Sequence, residues 1–177
     1  MGGKTRVVLT DFIDDDLAIE RRILQDVAEV EALAKHRESE LTGLVEDADV
    51  LIVFHELCLT QATIDRLRRC RLIVRAGVGI DNVDGEAARR RGIPLANVPD
   101  YGSEEVADTA IGMALALARG IHLLNSRLKR GHGPWSYEQA VPIARLRGRV
   151  FGIVGLGRIG TAAACRAKAL GMDVVFY

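Results

Sequence analysis

Hydrophobic positions fall into short apolar runs separated by longer amphipathic stretches, and this alternation continues through the first hundred residues. The runs Arg6–Thr10, Val27–Leu33, Asp49–Phe54, Leu72–Arg75 and Ile93–Ala96 predict five strands. VAEVEAL at 27–33 has the composition of a helix, but its alternation favours a strand. DVLIVF at 49–54 is continuously apolar, as expected of a strand buried on both faces. Between these runs, Asp14-Asp15-Asp16 predicts a cap and acidic first turn for a helix to about Leu24. Glu38–Glu46 predicts a short amphipathic helix, and Thr60 caps another to about Arg69. Asp84 caps a helix over Gly85–Arg91 that Gly92 ends. Strands joined by helices imply parallel pairing through right-handed crossovers. Five such units predict an α/β domain over residues 1–100 with a flavodoxin-like, doubly wound parallel sheet. In that architecture ligands bind beyond the C-terminal strand ends, which here are Asp11, His55-Glu56, Arg75-Ala76-Gly77 and Asn97.

The pattern changes after Asn97. Ser103-Glu104-Glu105 supplies a cap and two acids for a long helix predicted to run to about Lys129. That segment is apolar nearly all round, which predicts burial on most faces, between two domains or two subunits. Gly131-His132-Gly133-Pro134 ends it, and a polar stretch with Trp135 and Tyr137 leads to an Arg147-Gly148 turn. From Val150 an apolar run, a glycine turn, a helical pattern and a second apolar run follow, the order a dinucleotide-binding unit requires. In Gly155-Leu156-Gly157-Arg158-Ile159-Gly160 the first glycine permits the tight turn and the second lets backbone approach a pyrophosphate. The third lets the helix pack close to the strand, and the helix N-terminus faces the anion. A glycine-rich turn in some other α/β sheet is the alternative. The acidic residue that would hold the ribose lies about 20 residues after the first glycines, and Tyr177 falls at or just before that position. Residues 101–177 are therefore expected to be an interdomain helix, an arm and the first unit of an incomplete nucleotide domain. The chain is expected to be the N-terminal part of a longer protein.

A hydrophobic fraction of 49% is ample for a packed core. Lys+Arg and Asp+Glu both number 24, so no net positive charge suggests a nucleic-acid partner. The densest basic stretches, Arg66–Arg71 and Arg89–Arg91, fit solvated helix ends. Cys58, Cys70 and Cys165 are scattered, which fits free thiols, and no metal-ligand spacing joins them to His36, His55, His122 or His132. No metal is expected. The N-terminus has no secretory apolar segment and Arg119 interrupts the longest apolar helix, so no membrane is expected and the cytoplasm is the default location.

Gly77-Val78-Gly79-Ile80-Asp81-Asn82 begins like a second nucleotide fingerprint but lacks the third glycine. Asp81 and Asn82 would put acceptors where a phosphate should sit. A glycine-lined loop at a strand end can instead offer N–H groups to a smaller anion such as a carboxylate, and Arg75 could add a charge-assisted contact. The alternative is a tight turn with Arg75 solvated or paired to Asp81.

RAGVGIDNVDGEAARRRGIPLANVP at 75–99 resembles the first signature of the D-isomer-specific 2-hydroxyacid dehydrogenases. SEEVADTAIGMALALARGI resembles their interdomain helix, and LRGRVFGIVGLGRIG their nucleotide strand and turn. The wording FHELCLT, IVRAG and RAKALGMDVVFY is most similar to the C-terminal-binding-protein-like branch. The resemblance implies a substrate domain, then a Rossmann domain binding NAD, and hydride exchange with a 2-keto or 2-hydroxy acid. It implies that Arg75, Gly77, Val78 and Gly79 form the substrate-carboxylate loop, with His55 in the same cleft. Val78 and Val106 match positions at the nicotinamide end, and Gly155, Leu156, Gly157, Arg158, Ile159 and Gly160 match the pyrophosphate turn. The choice between NAD and NADP turns on the next strand end. The family's catalytic arginine, glutamate and histidine belong to segments beyond Tyr177, so no catalytic residue is assigned and residues 1–177 alone are expected to be inactive. His122 and His132 fit structural roles. The resemblance also implies a homodimer. It brings in a second function as well, an NAD-responsive, corepressor-like protein-binding module with little or no dehydrogenase activity.

Overall fold

The computed structural model describes residues 4–13 and 16–177. Five parallel strands, β1 (Thr5–Asp11), β2 (Ala28–Lys35), β3 (Val50–Val53), β4 (Leu72–Arg75) and β5 (Leu95–Asn97), form one sheet in the order β2-β1-β3-β4-β5. This is the flavodoxin-like order that the strand–helix alternation predicts. β1 lies inside the sheet, and its residues Val7–Asp11 are all buried. β2 lies at the edge and alternates in burial, which is why its sequence matched two periodicities. Leu51, Val53 and Ile73 from the strands pack with Leu41, Val45, Ile64, Leu67, Ala87 and Ile93 into one core.

Helices α1 (Ala18–Leu24), α2 (Gln61–Ile64) and α3 (Gly85–Arg90) cross between strands. The expected caps Asp14 and Asp15 lie outside the described residues. Asp16 accepts the N–H of Ala18 at 2.9 Å, and the Asp84 carboxylate accepts the N–H of Ala87 at 2.9 Å, as its cap position predicts.

Three expected helices differ. Residues 38–46 form a 3-10 turn over Glu38–Leu41 and then irregular turns. There the Glu40 carboxylate reaches back to the N–H groups of His36 and Arg37, and Glu46 takes the N–H of Gly43. Side chains that bond nearby backbone compete with helix propagation. α2 stops at Ile64 rather than near Arg69. Beyond it Arg66, Arg68 and Arg69 pair with Glu46, Asp47 and Asp49, so these cations lie past the helix end and are ion-paired, with Arg68 and Arg69 still exposed to solvent.

Residues 103–129 are two helices, α4 (Ser103–Ala118) and α5 (Ile121–Lys129), bent by 68°. Gly120 adopts φ 63 at the break, and an added Cβ there would lie 2.6 Å from the Ala140 side chain. Burial is also narrower than the composition suggests. Only Ala107 and Ile111 are buried on α4, and no residue of α5 is. No single described helix is long and apolar enough to cross a membrane.

The chain divides into two compact units, Met1–Tyr101 and Gly102–Tyr177. In the second, β6 (Val150–Ile153) and β7 (Asp173–Phe176) pair in parallel across helix α6 (Arg158–Ala169). Ile111 of α4, Ala167 of α6 and Met172 form a small core with Leu115, Leu146, Phe151 and Val174. Beside it the Arg166 guanidinium pairs with Glu104 and Asp108.

Candidate functional site

In the first unit, register brings the predicted ligand-side residues to one sheet edge. Arg75 lies opposite Val53 of β3 and Asn97 of β5. His55 follows two residues after Val53 on an exposed turn. The loop 76–84 is pinned on several sides. Ala76 donates its N–H to Val53 O at 2.8 Å, Val98 donates to Gly77 O at 3.0 Å, and Asn97 Nδ2 donates to Val78 O at 2.7 Å. Among the described residues, the N–H groups of Val78 and Gly79 have no acceptor, and both residues are exposed. Two adjacent free N–H groups beside a guanidinium suit a small anion.

Arg75 is half-buried, and its guanidinium folds over Gly77, where an added Cβ would overlap Nη1. Its Nε donates to Asn82 Oδ1 at 3.4 Å. The open question of an Arg75–Asp81 pair is thus resolved by the neighbouring amide. Asn82 Nδ2 in turn donates to Phe54 O at 2.9 Å and Leu57 O at 2.7 Å, the carbonyls that bracket His55-Glu56. Asp11, fully buried, accepts the N–H groups of Glu56 and Leu57 through Oδ1, at 3.1 and 3.3 Å, and the Thr10 hydroxyl through Oδ2. The sequence marks Asn82 only as an acceptor unsuited to a phosphate site and Asp11 only as a strand end. An acid closing an apolar strand was the available signal for Asp11, whereas Asn82, seven residues past the end of β4, carried none.

In the second unit, Gly155 has φ +91, and an added Cβ on Gly160 would overlap the Gly155 carbonyl oxygen. The turn is therefore tight and the helix closely packed, as the two outer glycines predict. Gly157 caps α6, and an added Cβ there would meet open space. The N–H groups of Leu156 and Gly157 have no acceptor among the described residues. The first N–H groups of α6 also point out of the helix, so donors and the positive dipole end converge on an open surface. Leu156, Arg158 and Ile159 are exposed around it. A dinucleotide pyrophosphate fits this donor set. Val106 is exposed on the first turn of α4, and His132 lines a small hollow with Leu128, Pro134 and Trp135. No group of three or more His, Cys, Asp or Glu able to hold a metal occurs among the described residues.

A parallel five-stranded unit, followed by a strand–glycine-turn–helix unit, defines a class of α/β proteins with a dinucleotide-type turn. The family model for the D-isomer specific 2-hydroxyacid dehydrogenase catalytic domain matches residues 7–171, and the chain belongs to that family. It is 39% identical over 172 residues to a D-3-phosphoglycerate dehydrogenase of Methanocaldococcus jannaschii, covering 97% of this chain and 32% of that protein. It is 32% identical to a hydroxypyruvate reductase of Thermotoga maritima, covering 97% of this chain and 55% of that one. Among solved structures, a D-lactate dehydrogenase of Aquifex aeolicus complexed with NAD and lactic acid superposes with a TM-score of 0.84 at 25% identity. That match covers 97% of this chain and 50% of that one. The chain thus spans between about a third and about half the length of these relatives.

Proposed function

We propose that the intact protein containing this chain is an NAD-dependent D-2-hydroxyacid dehydrogenase. The observation that carries this reading is the open glycine turn at the start of α6, in a chain of this family. Gly155, Leu156, Gly157, Arg158, Ile159 and Gly160 would hold the pyrophosphate, and Val78 and Val106 would line the nicotinamide end. Arg75, Gly77, Val78 and Gly79 would take the substrate carboxylate, with His55 beside it. The unit Met1–Tyr101 would be the substrate domain, and Gly102–Tyr177 the start of the cofactor domain. NAD would supply the hydride acceptor for a 2-hydroxy acid, and NADH the donor for a 2-keto acid.

The relatives' names cover D-3-phosphoglycerate, hydroxypyruvate and lactate, so a short 2-keto acid is the proposed substrate class. Those names favour the enzyme over a corepressor-like module, and only the wording of FHELCLT, IVRAG and RAKALGMDVVFY supports the C-terminal-binding-protein-like branch. A cytoplasmic homodimer is part of the same proposal. What supports the dimer is apolar surface on the second unit, including Met113, Leu117, Ile121, Leu128 and Trp135. The test is loss of NADH absorbance when the intact protein is offered a panel of 2-keto acids that includes pyruvate and hydroxypyruvate. Turnover of one panel member is the expected result, and none across the panel overturns the assignment. Sedimentation of the intact protein as a monomer removes the dimer.

A further inference from the structure

We infer that Asn82 is a positioning residue, a single amide that sets both the Arg75 guanidinium and the turn carrying His55. All three of its side-chain bonds run to other parts of the first unit. Oδ1 accepts from Arg75 Nε at 3.4 Å, and Nδ2 donates to Phe54 O at 2.9 Å and to Leu57 O at 2.7 Å. Its backbone is also engaged, since Leu59 donates its N–H to Asn82 O at 2.8 Å. The turn 54–57 is thus held from two directions. Asp11 takes the N–H groups of Glu56 and Leu57 on one side, while Asn82 supplies N–H groups to the carbonyls of Phe54 and Leu57 on the other.

The chemistry at this position requires an amide. Two carbonyls need a donor and Arg75 needs an acceptor, and among side chains of this length only Asn offers both. A carboxylate would satisfy Arg75 but set an oxygen against two carbonyl oxygens. The Arg75 side chain also has a choice of places to lie. Its guanidinium crosses the face of Gly77, and the bond to Asn82 holds it there, at the start of the loop that carries Val78 and Gly79. Released from Asn82, the arginine would sample several rotamers, and the anion contact would lose its preorganisation.

This inference rests on the proposed dehydrogenase reading for its kinetic consequence, though not for its structural one. In the intact protein, Asn82→Ala should raise KM for the 2-keto acid roughly tenfold, the scale of one lost bond to a charged group. KM for NADH should stay unchanged and kcat should change little. The double variant Asn82→Ala/Arg75→Ala should lose clearly less than the two single losses combined, because part of the Asn82 effect runs through Arg75. Asn82→Asp should recover part of the KM loss while leaving the turn loose. Amide hydrogen exchange reads the turn directly: Glu56 and Leu57 should exchange roughly tenfold faster in both Asn82 variants. Val8 and Ile73, inside the sheet, should keep their wild-type rates. Additive losses in the double variant, or unchanged exchange at Glu56 and Leu57, would overturn the inference. If wild-type protein turns over no keto acid, the dehydrogenase reading fails alone, and the exchange rates still decide the role of Asn82. If Asn82→Ala does not fold, the same exchange and kinetic comparisons on Asn82→Asp decide it.

Discussion

Arg166 Nε and Asp108 Oδ1 meet at 2.5 Å, a bond between α6 and α4 that closes 58 residues of chain. The same guanidinium reaches Glu104 Oε2 at 2.6 Å, and α4 packs on α6 with Ile111 and Ala167 in one small core. Both acids lie near the N-terminus of α4, where negative charge is favoured, and both keep Arg166 firmly protonated. Arg166→Met keeps much of the aliphatic stem but removes the fork. It should lower Tm by a few degrees at low salt, and the gap to wild type should narrow as salt rises. Calorimetry at two salt concentrations checks this.

Stability in acid should follow the loop at 46–49. The Arg6 N–H bonded to Asp49, together with Arg69, holds that carboxyl below the usual range despite its burial. Arg68 does the same for Asp47. At Glu46 burial works to raise the pKa, and the Gly43 N–H and Arg66 outweigh it. Each carboxyl therefore favours the folded state when ionised. The contribution is fully present above the unfolded pKa of about 4 and is lost as pH falls through the lower folded value. Asp49→Asn should melt below wild type at neutral pH, and the difference should shrink steadily in acid. A constant difference from neutral to acid pH would refute the assignment.

The two later glycines of the nucleotide turn separate fold from binding. Gly160→Ala puts a methyl into the Gly155 carbonyl and should cost about 1–3 kcal/mol in denaturant unfolding. Gly157→Ala meets open space at an ordinary φ of −81 and should leave unfolding almost unchanged. In the intact protein it should still weaken NAD binding roughly tenfold, by crowding the backbone donors. Calorimetric titration with NAD distinguishes the two.

Ile73, fully buried at the centre of β4, is the core position to test. Ile73→Ala should cost about 2–5 kcal/mol by transfer and cavity terms together. A loss under 1 kcal/mol would mean that the surrounding Leu51, Ile64 and Ala87 shell collapses around the gap.

The sheet was legible because each parallel strand is a short apolar run bounded by turn chemistry, and parallel pairing follows from the intervening helices. What failed was local competition. Glu40 and Glu46 bond nearby backbone, which the apolar period over 38–46 does not register. Gly120 sits in an apolar run that propensity alone continues, yet it takes a left-handed conformation that breaks the helix. The glycine turn was legible because its geometry depends on backbone alone. Asn82 was not, because its partners at Phe54, Leu57 and Arg75 are brought together only by strand register.

Every strand of the five-stranded sheet, edges included, is encoded before Tyr101. During synthesis on the ribosome, the first unit can complete its hydrogen-bond ladder and close its core before Val150 has emerged. Folding can then proceed from the N-terminus onward, with the five-stranded sheet paired before β6 meets β7, twenty-odd residues further along the chain.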